Sequence, residues 1–289
     1  KDITYTGESR KIKKAGAGEF LRPFRRANKR QEEQYRKTLD KISTDFKNKW
    51  PNMSDKEKTI WKYQRYMQDY LATISSVDDN VGRVLDYLKE NDLEDNTIVV
   101  YTSDQGFYLG EHGWFGSKWI YEESSKIPLI IRKPLGLSSP KTVSSLVQNI
   151  DLAQTILDYA GFQEGKEMQG KSMSQLLDNE DSNNTWRNSI YFHHNEFPGD
   201  QMIAKHYGIR TLKHKLIHFY QFDEWEFYDL ENDPTESKNL YSKESYSSEL
   251  EKMKQLLISN RTKYFDRSDI SIMPEEWRKI YRGPEARKE

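Results

Sequence analysis

Cysteine is absent from this sequence. Disulfides and thiolate metal sites are thereby excluded, and the redox compartment is unreadable. No apolar run approaches the roughly 20 residues that a membrane-spanning helix needs. The N-terminal KDITYTGESRKIKK is not a signal peptide. Neither sign of charge dominates: 45 Lys and Arg stand against 46 Asp and Glu, a net of −1. No global field therefore draws nucleic acid or an anionic membrane. Internal repeats, low-complexity tracts and the H-E-x-x-H zinc pattern are also missing.

What is present is the material of a sizeable core. The chain has 289 residues, enough for one large domain or two smaller ones, with 18 Tyr, 12 Phe and 7 Trp. It is organised around Thr97–Lys133, TIVVYTSDQGFYLGEHGWFGSKWIYEESSKIPLIIRK. Thr97–Thr102 is β-branched and aromatic, which predicts a buried parallel strand. Asp104-Gln105-Gly106 follows at its carboxyl end, where open α/β sheets place ligands. A carboxylate and an amide carbonyl are two hard oxygen donors of the kind calcium or magnesium takes. A glycine-rich loop with His112 and Lys118 leads to a second strand, Ile127–Arg132.

Around this stretch the periodicity predicts the remaining elements. Lys1–Pro23 reads as loop and Phe24–Trp50 as helix, with Tyr35, Leu39, Ile42 and Phe46 near helical spacing. Its cations Arg22, Arg25, Arg26, Lys29 and Arg30 read as a solvated face, because no aromatic residues interleave them for base stacking. Ser54 and Glu57 form a capping box for a long amphipathic helix ending near Asn91. Asp78 and Asp79 are adjacent on that helix, so they do not face one way, and a structural role is expected. Pro134–Pro140 reads as loop. Asp151 is expected to cap a helix over Leu152–Ala160 that Gly161 stops, and a short helix follows from Gln169 through Leu177. Past a polar linker, Asp178–Asn184, the period becomes strand-like: Ser189–His194, Tyr207–Leu212, Lys215–Tyr220 and Glu226–Leu230, with a hairpin turn at Leu212–Lys215. Ser248–Phe265 reads as helix, and Trp277 as the tether of a polar tail. The expected organisation is α/β over residues 1–184 and an antiparallel-sheet-plus-helix subdomain over 185–289. Only two good strands precede residue 180, too few to close a doubly wound core, so the chain reads as the later part of a longer fold.

TSDQGFYLGEHGWF, then YEES and a strand beginning I-P-L-I-I, resembles the type I sulfatases of the alkaline-phosphatase superfamily. A second block, YGIRTLKHKLIHFY and EWEFYDLENDPTESKNLY, is similar to bacterial sulfatases of the N-acetylglucosamine-6-sulfatase type. The blocks and the helix before them span roughly residues 55–245 in the family's order. The resemblance implies an alkaline-phosphatase-like sheet, later part only, and hydrolysis of a sulfate ester on a carbohydrate. The expected substrate is 6-O-sulfated N-acetylglucosamine or a related glycosaminoglycan unit. It implies calcium and a formylglycine made within C/S-x-P-S-R. That motif does not occur here, so the chain is expected to be catalytically silent alone.

Residue by residue, the resemblance assigns Asp104 and Gln105 to calcium and a lysine of the following loop to the sulfate. Counting back from Tyr121, that lysine position falls on Ser117, with Lys118 one place later. Either the loop shifts and Lys118 reaches the sulfate, or Ser117 replaces it. His112 is expected to shape the loop behind the site. Glu196 and His206 lie in HNEFPGDQMIAKHYGIRT, a segment that borders the sugar pocket in similar sulfatases; they either hydrogen-bond glycan hydroxyls or are surface and hairpin polar residues. His214 and His218 are expected to be structural or solvent-facing. Two alternatives accompany this reading: a phosphodiesterase or phosphonate hydrolase of the same superfamily, and a non-catalytic glycan-binding remnant. Expected partners are a sulfated glycan and either the missing N-terminal half or a second copy of the chain. Localisation is open; an upstream signal peptide would make it periplasmic or secreted.

Overall fold

The computed structural model describes residues 28–117, 119–133, 141–162, 165, 167–178, 186–197 and 203–266. These fall into two compact units. One takes in the described residues of Lys1–Val99, Phe107–Ser117 and Ile131–Leu135; the other takes in those of Val100–Gly106, Lys118–Ile130 and Gly136–Glu289. Each is taken in turn.

The first unit opens with helix α1, Lys29–Lys49, which begins on a capping box that sequence reading missed. The Asn28 side chain accepts the Gln31 N–H, and the Gln31 side chain accepts the Asn28 N–H. Positions 24–27 lie outside the described residues. Helix α2, Asp55–Glu90, starts on the expected Ser54–Glu57 box, the Ser54 N–H reaching Glu57 Oε2 at 2.8 Å. Phe46 of α1 packs on Trp61 of α2 with ring centroids 4.9 Å apart, which closes the helical pair. No residue of α2 is buried: Leu71, Ile74, Val77 and Val84 of its apolar stripe are exposed. Asp78 and Asp79 are exposed on the same helix. Two short strands, β2 (Tyr108–Leu109) and β3 (Phe115–Gly116), pair antiparallel around a one-turn 3-10 helix, Glu111–Gly113. The Phe115 ring meets Tyr66 edge-on at 4.6 Å, tying this hairpin to α2.

Strands β1 (Val99–Thr102) and β4 (Leu129–Arg132) form a two-stranded sheet. The expected buried strand is corrected here: Val100 and Tyr101 of β1 and Ile130 of β4 are exposed. Their composition suits a covered sheet, but nothing among the described residues covers those side chains.

The second unit is built on an antiparallel meander, β5 (Ile190–His194), β6 (His206–Arg210), β7 (His214–Phe219) and β8 (Glu224–Asp229), in sequence order. Alternation gives the sheet two different faces. Tyr207, Ile209, Leu216 and Phe227 form one buried face with Met253 and Leu257 of α6, Ser247–Lys263. The other face carries Arg210, Lys215, Phe219 and Tyr228, and the segment 119–125 lies on it. Gly208 lies where the backbones crowd: a Cβ there would strike the Leu216 carbonyl oxygen and the Phe192 ring. Two small helices, α4 (Asp151–Tyr159) and α5 (Ser174–Asp178), complete the unit. Gly161 sits at φ +79°, the left-handed geometry that ends a helix. Asp151 is not the N-cap but the first helical residue. Its buried carboxylate instead accepts the Gln148 and Lys171 N–H groups and binds Arg187. The linker over 179–184 and Trp277 lie outside the described residues. Among the described residues no helix is long and apolar enough to cross a membrane.

Candidate functional site

The Asp104-Gln105 turn belongs to the second unit, directly after β1. Both residues are exposed. The Ser103 hydroxyl donates to the Gln105 carbonyl at 2.9 Å and to Asp104 Oδ1 at 3.3 Å, which folds the turn back on the strand end. Gly106 closes it. Its N–H donates to the Ser124 carbonyl at 2.8 Å, and a Cβ at this position would run into the Glu123 carbonyl oxygen. The turn is thus held against α3, Glu122–Ser125, the helix of the YEES stretch. A carboxylate and an amide oxygen facing solvent form a donor set that fits a hard cation. Among the described residues no group of three or more His, Cys, Asp or Glu gathers to hold one, so two donors are what this turn supplies.

α3 is fastened in turn to the meander. Tyr121 donates its hydroxyl to Glu226 at 2.8 Å. The Glu122 carboxylate takes Arg210 through two N–H groups, at 3.0 and 3.2 Å, and Lys215 Nζ at 2.8 Å. Lys215 also reaches Glu236 at 2.8 Å and the Ile120 carbonyl at 2.9 Å, while the Glu122 N–H donates to Glu236 at 2.6 Å. Lys215 is 0% exposed and Glu236 2%. Burial works to raise the Glu122 carboxyl, but Arg210 and Lys215 outweigh it and hold its pKa at about 2. Burial raises Glu236, with Lys215 pulling the other way. Sequence reading missed these four charges. The signal was there in outline: a buried-looking hairpin carries Arg210 and Lys215 near its turn, and YEES supplies a carboxylate.

His206 is fully buried. Its ring stacks between Trp119, at 5.9 Å, and His194, at 5.3 Å, with Phe219 alongside. Nδ1 donates to the Ala204 carbonyl at 2.8 Å, which fixes the tautomer and leaves Nε2 as a lone pair. That Nε2 has no hydrogen-bond partner among the described residues. Burial lowers the ring's pKa to about 4 despite the Ala204 bond. Glu196 lies exposed just past β5. His193, on β5, stands between Tyr220, at 3.1 Å, and Asp266, at 3.3 Å; Asp266 also takes the Tyr191 hydroxyl. His218 is buried against Trp225, rings 3.8 Å apart, and bonds Asp223 and Tyr207.

His112 and Ser117 belong to the first unit. His112 sits at φ +53° inside the 3-10 turn, its ring edge-on to Tyr108 at 6.1 Å. Ser117 directly follows β3. Lys118 lies outside the described residues.

The comparisons agree with this architecture. The family described as N-sulphoglucosamine sulphohydrolase, C-terminal, matches residues 110–263, and that described as Sulfatase matches residues 20–162. An N-acetylglucosamine-6-O-sulfatase of Bacteroides thetaiotaomicron is 46% identical over 217 residues, covering 74% of this chain and 39% of the relative. A solved protein in complex with its substrate D-glucosamine-2-N,6-O-disulfate superposes with a TM-score of 0.81 at 40% identity, over 86% of this chain and 50% of that one. A phosphonate monoester hydrolase from Silicibacter pomeroyi superposes at 0.65 with 24% identity, covering 75% of this chain and 44% of that one, a likeness of fold alone. This chain thus spans 39–50% of the length of these three proteins, and its own matched portion places it in the sulfatase family of the alkaline-phosphatase superfamily.

Proposed function

We propose that this chain is the later part of a calcium-dependent sulfatase, with an alkaline-phosphatase-like sheet, acting on a 6-O-sulfated N-acetylglucosamine or a related glycosaminoglycan unit. One observation carries the reading: an exposed carboxylate–amide pair at the end of a strand, pinned by Gly106 to the segment that follows the glycine-rich loop. Asp104 and Gln105 would hold calcium, supplying two of its about 6–8 oxygen ligands. Bound there, the ion supplies Lewis-acid polarisation of a sulfuryl oxygen. Lys118, or Ser117 in its place, contacts the sulfate; a cation at this position steadies charge developing on the leaving oxygen. The exposed Glu196 carboxylate accepts a hydrogen bond from a glycan hydroxyl or amide, while His206, fully buried, backs the sugar pocket rather than touching the sugar. A sugar lacking that donor is disfavoured, because the carboxylate loses solvent on binding and would then be left unpaired. The formylglycine nucleophile lies on a segment outside this sequence, and the 289-residue chain by itself releases no sulfate.

The D-glucosamine-2-N,6-O-disulfate held by the solved relative and the likeness to an N-acetylglucosamine-6-O-sulfatase support the sugar class. The test is to assay the full-length gene product on N-acetylglucosamine 6-sulfate and on phosphate and phosphonate esters, with and without a calcium chelator. Chelator-sensitive sulfate release that exceeds ester hydrolysis of the phosphorus compounds is expected. Preference for a phosphonate ester would transfer the chain to the hydrolases it resembles in fold. Glycan binding with no hydrolysis would make it a binding remnant.

A further inference from the structure

We propose that Glu122, Lys215 and Glu236 form a buried positioning device that sets the Asp104-Gln105 turn from the C-terminal sheet. The inference rests on the calcium reading of that turn. The connection is continuous and lies within the second unit. Gly106 N–H is bonded to the Ser124 carbonyl, and the absence of a Cβ lets Gly106 sit against the Glu123 carbonyl. Those two residues belong to α3, whose first residue is Glu122. Glu122 is gripped at both its backbone and its side chain: the N–H by Glu236, the carboxylate by Lys215 and Arg210. Lys215 also holds the chain two residues earlier, through the Ile120 carbonyl.

Hydrophobic packing would seat α3 on the sheet without fixing its rotation. Ion pairs and charged hydrogen bonds are directional, and in a buried site each must be satisfied in one geometry. Lys215 is 0% exposed, so its three oxygen contacts are not shared with solvent. The device therefore specifies where α3 sits, and α3 specifies where the metal turn sits. These residues touch neither substrate nor ion; they act through Gly106.

The test uses the full-length protein and calcium itself as the probe. Calorimetric calcium titration would be run on the wild type, Asp104→Asn, Lys215→Met, Glu122→Gln and Phe227→Leu. Phe227→Leu changes the opposite face of the same sheet and controls for lost stability. Lys215→Met and Glu122→Gln are expected to weaken calcium by about tenfold to a hundredfold, as residues behind metal ligands do. Their Gly106 amide should also exchange faster with solvent, while Phe227→Leu keeps wild-type affinity and protection. Glu122→Gln is close to isosteric and carries the test if Lys215→Met does not fold. Wild-type affinity in Lys215→Met and Glu122→Gln, with Asp104→Asn losing the ion, would overturn the positioning role and leave the calcium pair standing. If Asp104→Asn binds as the wild type does, the calcium reading fails and this inference falls with it.

Discussion

The Arg187 guanidinium closes on the Asp151 carboxylate inside the second unit, 36 residues away in sequence, and Asp151 is 0% exposed. The pair also organises backbone, since the same carboxylate accepts the N–H groups of Gln148 and Lys171. Replacing Arg187 by Met leaves an uncompensated charge in a dry site. The expected cost is about 3–5 kcal/mol, measured as a lower urea midpoint. A loss below about 1 kcal/mol would mean that water reaches Asp151 in solution.

His206 gives stability a pH dependence of defined sign. Its folded pKa lies near 4 against an ordinary 6.5, so between those values the unfolded chain binds the extra proton. Stability should therefore rise from pH 4 to 6.5 and hold above it. His206→Phe should flatten that slope. An unchanged slope in urea titrations at stepped pH would show that the imidazole is solvated.

The two carboxylates on Lys215 should titrate with opposite signs. Glu122 is lowered from 4.5 to about 2, so its contribution is present above pH 4.5 and lost as the pH falls toward 2. Glu236 is raised, so its ionisation costs stability as the pH climbs through and above 4.5. Glu122→Gln should remove acid sensitivity below pH 4.5, whereas Glu236→Gln should remove a loss above it. Carbon-detected NMR titration of the two carboxyls checks the order directly; Glu236 protonating below Glu122 would reverse the assignment.

Gly208 tests the crowding between β6 and its neighbours. Gly208→Ala places a methyl group against the Leu216 carbonyl and the Phe192 ring. Overpacking of this kind costs about 1–3 kcal/mol, and a thermal melt should show it as a lowered midpoint.

The elements that sequence reading located best are those whose signal is local. Ser54 and Glu57 cap α2 as their spacing requires, and the four strands of the meander begin and end within two residues of expectation. Alternating side chains and a short hairpin turn contain that information by themselves. Asp151 misled because an acidic residue before an apolar run looks like a cap, whereas its real partner, Arg187, is remote in sequence. The cluster around Lys215 was illegible for the same reason: Glu122 lies 93 positions before Lys215, and no periodicity encodes that meeting. The β2–β3 hairpin escaped because strands of two residues carry no pattern to count. Asp104 and Gln105 were proposed from their place after a strand, and the structure puts both at the surface of the turn.

The meander has a kinetic consequence. β5 to β8 follow one another in sequence, each strand pairs only with its neighbours, and α6 comes immediately after to cover Ile209, Leu216 and Phe227. Contacts so short in sequence need little loop closure, and chains rich in them reach the native state quickly. This sheet and its helix should collapse before α3 docks, leaving Lys215 to wait, briefly hydrated, for the arrival of Glu122.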